Sequence, residues 1–206
     1  MMQEILLIVV SYLIGSIPSG VWYSKIFHKV DVRQLGSGNS GGTNVGRNFG
    51  SLAAICVITV DVLKGWLPMA YAYSHYAGQE DLVVMLTGIA CVLGHAYPIW
   101  ANFKGGKIVA TSIGVLLGYH FTLALVQVAL LLALILTTSI VSLASMTSYC
   151  LVVSWIILTD PPLYKIGFTL IALLMIYRHR QNIQRLVKGE ERHVSFGLNK
   201  AKKKKS

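Results

Sequence analysis

Charge is what this chain has least of. Only 13% of its 206 residues are Asp, Glu, Lys or Arg, against about 25% in an ordinary soluble domain. Acidic groups are the scarcest, eight against eighteen basic ones. With 54% hydrophobic residues and a mean hydropathy of +0.62, the chain carries more apolar surface than a soluble core of this size can hide. That excludes a water-soluble globule and points to a bilayer. There are only three cysteines, and Cys56, Cys91 and Cys150 all sit inside apolar runs. They read as small core residues, which excludes a disulfide framework or a metal-ligand pattern. There is no repeat of fixed period and no stretch that reads as a separate soluble domain, so residues 1–206 are taken as one membrane domain. No base precedes the first apolar stretch at Ile5. That stretch continues through Gly15–Ser16–Ile17–Pro18 without a small-residue cleavage site, so a retained first helix is expected in place of a signal peptide.

What the chain has in quantity is apolar segments near the length of a membrane span, about 20 helical residues. The expected fold class is all-α, a polytopic membrane bundle, with spans near 4–24, 52–73, 82–101, 108–119, 121–138, 143–158 and 163–178. The bases set the orientation. Segment 25–50 holds Lys25, Lys29, Arg33 and Arg47; segment 102–107 holds Lys104 and Lys107; all but two of the remainder cluster from Arg178 onward. Basic loops face the cytoplasm. A single long helix over 108–138 would place the lysine-rich tail outside. A break near Tyr119–His120 keeps it inside and gives seven spans, N-terminus out and C-terminus cytoplasmic. Sixteen of the eighteen bases then face inward, with Lys64 inside a span and Lys165 outside. The clustering beside hydrophobic segments argues against nucleic acid as the partner of the +10 net charge. The tail, 193–206, ending AKKKKS, is expected to be disordered, either solvated or resting on anionic lipid heads.

This topology gathers three polar stretches on one face. GSGNSGGTN, Gly36–Asn44, has four glycines and no apolar residue. Glycine backbone can turn sharply and aim several N–H groups at an anion. Ser37, Asn39, Thr43 and Asn44 add donors, and Arg47 follows with a guanidinium fork. A flexible linker is the plain alternative. FKGGK, Phe103–Lys107, places two glycines between Lys104 and Lys107 ahead of a helix, an anion site in form. It lacks Walker A spacing, and lysines at a boundary are commonly topology anchors. RHRQNIQRLVKGEE, Arg178–Glu191, puts His179 and Asn182 on one helical face, or is simply a basic stop-transfer cap. Ser142 and Ser145 share a face of the sixth span, where serines usually serve packing. Asp61 and Lys64 lie one turn apart within the second span and read as a structural or orienting pair. His95 reads as structural. Three clusters converging on one side describe a site for a small phosphorylated molecule beside lipid.

The ordered motifs YLIGSIPSG, GSGNSGGTNVGR, GHAYPIWANFKGGKIVATS, VSLAS and RHRQNIQRLVKGEE resemble the bacterial acyl-phosphate:glycerol-3-phosphate acyltransferases over essentially the whole length. The resemblance implies an integral membrane enzyme of the bacterial cytoplasmic (inner) membrane. It would transfer a fatty acyl group from acyl phosphate to the 1-hydroxyl of glycerol 3-phosphate, giving 1-acyl-glycerol 3-phosphate and phosphate, without metal or organic cofactor. It assigns importance for activity to Ser37 and Arg47, with Asn39, Thr43 and Asn44 in the same motif. It gives glycerol 3-phosphate binding to Lys104, Gly105, Gly106 and Lys107, and further site roles to Ser142, His179 and Asn182. Glu191 would support structure. Four positions depart from the family pattern. Ser40 and Gly42 stand where proline and alanine are usual, which predicts a looser loop. Ile108 stands where many members have glycine, and Ser139 where an arginine often precedes Ser142.

Phosphate is a good leaving group, and a primary alcohol is a weak nucleophile. The chemistry therefore needs two anions held together and one proton removed. His179 as general base competes with a phosphate oxygen of the acyl donor; the surrounding cations, which would lower the pKa of the histidine, favour the donor. A transporter for a phosphorylated solute would also explain anion loops among helices, but it calls for polar groups across the bilayer. A scaffold with a basic tail leaves the glycine loops without purpose.

Overall fold

The computed structural model describes residues 1–194 and 198, and among these the only regular structure is helix. Five segments are long and apolar enough to cross a membrane: Met2–His28, Ser51–Tyr76, Asp81–Ala101, Phe121–Thr138 and Val141–Thr159.

The first of these is not one continuous helix. α1 (Met2–Gly15) stops at Ser16, and α2 (Ser19–His28) restarts after Pro18. Proline has no N–H and disfavours helix in the residue before it. The carbonyl of Ile17, exposed by this break, is met by the buried ammonium of Lys64 at 2.8 Å. Lys64 is in turn 2.7 Å from Asp61, which also accepts from Ser19 Oγ at 2.6 Å. Irregular backbone at membrane depth survives only where protein satisfies it, and the Asp61–Lys64 pair does so here.

A short helix, α3 (Gly42–Phe49), lies beside α2 and leads into α4 (Ser51–Tyr76). α5 (Asp81–Ala96) packs on α1 and α4; α6 (Val109–Tyr119) packs most closely on α4. The α4–α6 crossing is set by small residues. A Cβ on Gly65 would stand 2.3 Å from the Thr111 carbonyl oxygen, and one on Gly114 2.0 Å from that of Val62. Gly15 and Gly94 bring α1 and α5 together in the same way. Such close approach is how helices gain dispersion contact where no hydrophobic effect drives them together. α6 ends at Tyr119 and α7 (Phe121–Thr138) begins at once, its first turn capped by His120, which accepts from Leu123 N at 3.3 Å. α8 (Val141–Thr159), α9 (Pro162–Arg178) and the short α10 (Arg180–Val187) complete the chain.

The main core lies between α4, α5, α6, α8 and α9, around Met69, Met85, Leu116, Tyr149 and Phe168. Large apolar side chains such as Leu6, Leu52, Leu125, Leu158 and Leu173 face outward, as lipid contact requires. The tail begins by folding back: Val194 N donates to Ser139 O and Leu198 N to Leu136 O. Residues 195–197 and 199–206, the rest of the tail expected to be disordered, lie outside the described residues.

Candidate functional site

The first loop is built around Asn44 and is not slack. Asn44 is 2% exposed. Its amide nitrogen donates to the carbonyls of Val32, Leu35 and Asn39, and its Oδ1 accepts from Ser37 N at 3.0 Å. Asn39 Oδ1 accepts from Gly41 N at 2.8 Å, an Asx turn. The Asn44 amide, expected among the substrate donors, is thus spent within the loop, and Asn39 is engaged there through its Oδ1. The departures at 40 and 42 do not loosen it. The Ser40 carbonyl packs against Gly20, and a Cβ on Gly42 would stand 2.4 Å from Ile58 Cγ1; Ile58 fills the space that an alanine methyl would take. Ser37, Thr43 and Arg47 face solvent.

The second loop hangs between two arginines that the sequence reading counted only as charges. Arg33 donates to the carbonyls of Ala101 and Lys104, at 3.0 and 3.3 Å, and is held by Asp31 at 2.7 Å. That hydrogen bond keeps the Asp31 carboxyl at about 2, against burial acting the other way. Arg178 donates to the carbonyls of Gly105 and Gly106, at 2.8 and 3.1 Å, with its guanidinium over the Tyr97 ring. The signal for both was position: one sits just ahead of the glycine loop and one at the end of a span. Within the turn, the amides of Phe103, Lys104 and Gly106 already donate to Pro98, Ala101 and His95. Few backbone donors therefore remain for an anion, and the lysine side chains become the main attraction. A helix does follow the turn, but it starts from Ile108 at φ +62°, left-handed backbone that a β-branched residue rarely adopts. Lys104, Arg33, Arg178 and Gln34 line an open pocket of about 530 Å³ on one side of the turn.

On the other side, the three stretches meet. Lys107 Nζ donates to Asn182 Oδ1 at 2.5 Å, and Asn182 Nδ2 donates to Glu191 Oε1 at 2.6 Å. The same carboxylate accepts from Ser142 Oγ at 2.9 Å and from Arg185 Nε at 2.7 Å. Burial alone would raise the Glu191 pKa; the hydrogen bonds from Asn182, Arg185 and Ser142 outweigh it and keep the group anionic. Arg192 then reaches Gly36 O at 3.3 Å, and Arg47 reaches Arg192 O at 3.5 Å, which ties the first loop to this centre. Burial pushes Lys107 down to about 8, with Arg185, Arg47 and Arg178 acting in the same direction against Glu191.

His179 is not inside a helix but at the joint between α9 and α10. It is 2% exposed, and its Nδ1 lies 2.8 Å from the Met175 carbonyl. That contact assigns the proton to Nδ1 and leaves Nε2 as an acceptor. Burial holds it at about 4, the Met175 bond opposing and the Lys107 charge assisting, so it is neutral at pH 7. Ser37, Thr43 and Lys104 make no side-chain hydrogen bond among the described residues and stand open at the rim.

A helical membrane protein whose polar loops converge on a pocket of lysines, arginines and small donors has the make-up of an enzyme acting on phosphorylated substrates at the lipid boundary. The comparisons specify which. A family model of glycerol-3-phosphate acyltransferases matches residues 5–189, and the chain belongs to that family. It is 45% identical to the glycerol-3-phosphate acyltransferase of Enterococcus faecalis, over 99% of this chain and 98% of the relative, and 42% identical to that of Bacillus subtilis, over 93% and 97%. Among solved structures it resembles the integral membrane glycerol 3-phosphate acyltransferase PlsY (YgiH). The TM-score is 0.89 for the glycerol 3-phosphate form at 38% identity, covering 93% of this chain and 96% of that one, and 0.86 for the lysophosphatidic acid form at 37%, covering 93% and 95%. The chain is an integral membrane acyltransferase of lipid biosynthesis.

Proposed function

We infer that the acyl donor is a fatty acyl phosphate and the acceptor the 1-hydroxyl of glycerol 3-phosphate, the products being 1-acyl-glycerol 3-phosphate and phosphate. The observation that carries this is the unbroken chain of contacts Lys107–Asn182–Glu191–Ser142, which joins three distant loops beside Arg47. Lys107, Arg47 and the exposed Lys104 offset the repulsion between two phosphates, with Ser37 and Thr43 as hydroxyl donors at the rim and Ser142, its hydroxyl engaged by Glu191, bracing the site from beneath. Gly105 and Gly106 let the turn come close. Asn44 and Asn39 hold the first loop, and Glu191 holds Asn182 in position and so serves structure. Positioning of this kind can supply roughly 7–11 kcal/mol of barrier reduction, and a donor such as Ser37 or Asn182 at the developing oxyanion about 3–4 kcal/mol.

His179, with its low pKa, is a weak base, so the proton of the attacking hydroxyl passes to an oxygen of the donor phosphate and His179 Nε2 orients a hydroxyl. No cofactor enters this scheme. The bilayer is crossed seven times, N-terminus out and C-terminus in, with residues 1–206 as one domain in the bacterial cytoplasmic (inner) membrane and the site facing the cytoplasm. The helices bounded at Tyr119 and Phe121 support that count. Purified protein in lipid should release phosphate from palmitoyl phosphate only when glycerol 3-phosphate is present. Equal turnover with a coenzyme A thioester, or phosphate release without the acceptor, would overturn the donor assignment.

A further inference from the structure

Beneath the FKGGK turn lies a buried polar cluster that the proposed chemistry does not use. His95, on the last turn of α5, is 7% exposed. Its carbonyl accepts from Gly106 N at 3.1 Å. Its ring meets the same glycine edge-on through Nε2: a Cβ on Gly106 would stand 2.2 Å from His95 Nε2, and one on Gly105 2.0 Å from the His95 carbonyl oxygen. The far side of the ring faces Asp61, with Nδ1 3.5 Å from Asp61 Oδ1 and no hydrogen-bond partner among the described residues. Asp61 is fixed by Ser19 Oγ and Lys64, and Lys64 by the carbonyl at the α1–α2 break. Ser40 of the first loop, Lys64, His95 and Gly105 line one small cavity of about 10 Å³. The helix break, the buried ion pair and both glycine loops therefore meet at this imidazole.

The geometry points to His95 as a positioning residue for acyl transfer: backed by Asp61 at 3.5 Å, it is the floor that sets the height of the Gly105–Gly106 turn, and so the place of Lys107 opposite Asn182. The physical reason is that the turn has little rigidity of its own. Its two glycines bring no side chains to stiffen it, and Asn102, Phe103 and Ile108 around them sit at φ of +54°, +57° and +62°, conformations that persist only when neighbours enforce them. Arg33 and Arg178 hold the carbonyls from the sides; His95 supports the turn from below, with Ala96 and Pro98 against Gly105. His95 touches neither reacting atom. Its effect is transmitted through Gly106.

This inference rests on the acyl-transfer reading, which the activity of the unaltered chain tests on its own. Direct contact makes a specific prediction for a double-mutant cycle. His95→Ala and Gly106→Ala should each raise KM for glycerol 3-phosphate by about tenfold or more, with a smaller change in kcat, because the loss is in placing an anion contact. In the double variant the new methyl at 106 enters the space of the missing ring, so the two losses should be strongly non-additive, the double falling no further than the worse single. His95→Asn keeps a donor near the Nδ1 position facing Asp61 and should recover part of the KM loss; His95→Gln, whose amide reaches toward Gly106 instead, should not. Losses that multiply in the double variant, or Asn and Gln variants that behave alike, would overturn the proposal. So would a His95→Ala effect confined to the amount of folded protein, read from thermal unfolding in detergent.

Discussion

Single residues already carry testable consequences. Burial lowers Lys107 to about 8, and a lysine is cationic only below its pKa. The free enzyme therefore loses this charge as pH rises through 8. Bound substrate, being dianionic, holds the proton in place. kcat/KM for glycerol 3-phosphate should fall above about pH 8 while kcat stays flatter, and Lys107→Arg should remove the fall; pH–rate profiles of both proteins check it. His179, held at about 4, is neutral throughout that range. His179→Asn should keep most of kcat and raise KM, and a collapse of kcat with unchanged KM would restore the general-base role. Ile108 combines full burial with left-handed backbone. Replacement by alanine loses the burial and keeps the strain, about 2–5 kcal/mol less stable. Replacement by glycine also loses the burial but relieves strain of order 1–3 kcal/mol. Unfolding should therefore rank glycine above alanine at 108, the reverse of the order at an ordinary helical site.

Between helices, the decisive contacts are backbone on backbone. Gly114 and Gly65 allow α6 to touch α4 at distances that no side chain permits. Gly114→Leu should push the two helices apart and destabilise the protein by at least about 1–3 kcal/mol, seen as a lower unfolding temperature in detergent. Because α6 leads directly out of the FKGGK turn, activity should fall more than the amount of folded protein. Gly42 implies looseness only if the loop is considered alone. Ile58, on the next helix, is what fills the space beside it. Likewise the first expected span, 4–24, is divided between α1 and α2. Its break at Pro18 is visible in the sequence, but the partner that makes the break tolerable, Lys64, lies 47 residues away.

For the whole molecule, the proposal places every anion-binding group on one side of the membrane. Single cysteines at Ser37, Lys104 and Arg180, all exposed, should react from the cytoplasmic side with a membrane-impermeant maleimide, and one at Gly78 only from the outside. If positions 37 and 104 reacted from opposite faces, neither the seven-span topology nor the shared site would survive. Long-range stitching also gives Glu191 its importance. Its carboxylate joins α8 and α10 to Lys107 through Asn182, so removing it leaves several buried donors without an acceptor.

The membrane class and helical fold were legible in the sequence because apolar runs of span length, separated by clustered bases, have few physical alternatives. The motif residues were legible too, since glycine, lysine and small polar residues in a chain this oily must be where the backbone meets something polar. What each motif residue does was decided only in three dimensions. Asn44 and Asn39 turned out to hold the loop, and Arg33 and Arg178 to grip the turn. His95 became its floor. A sequence records which groups can donate or accept, whereas folding decides which partners arrive first, and a hydrogen bond already made inside the protein is no longer available to a ligand.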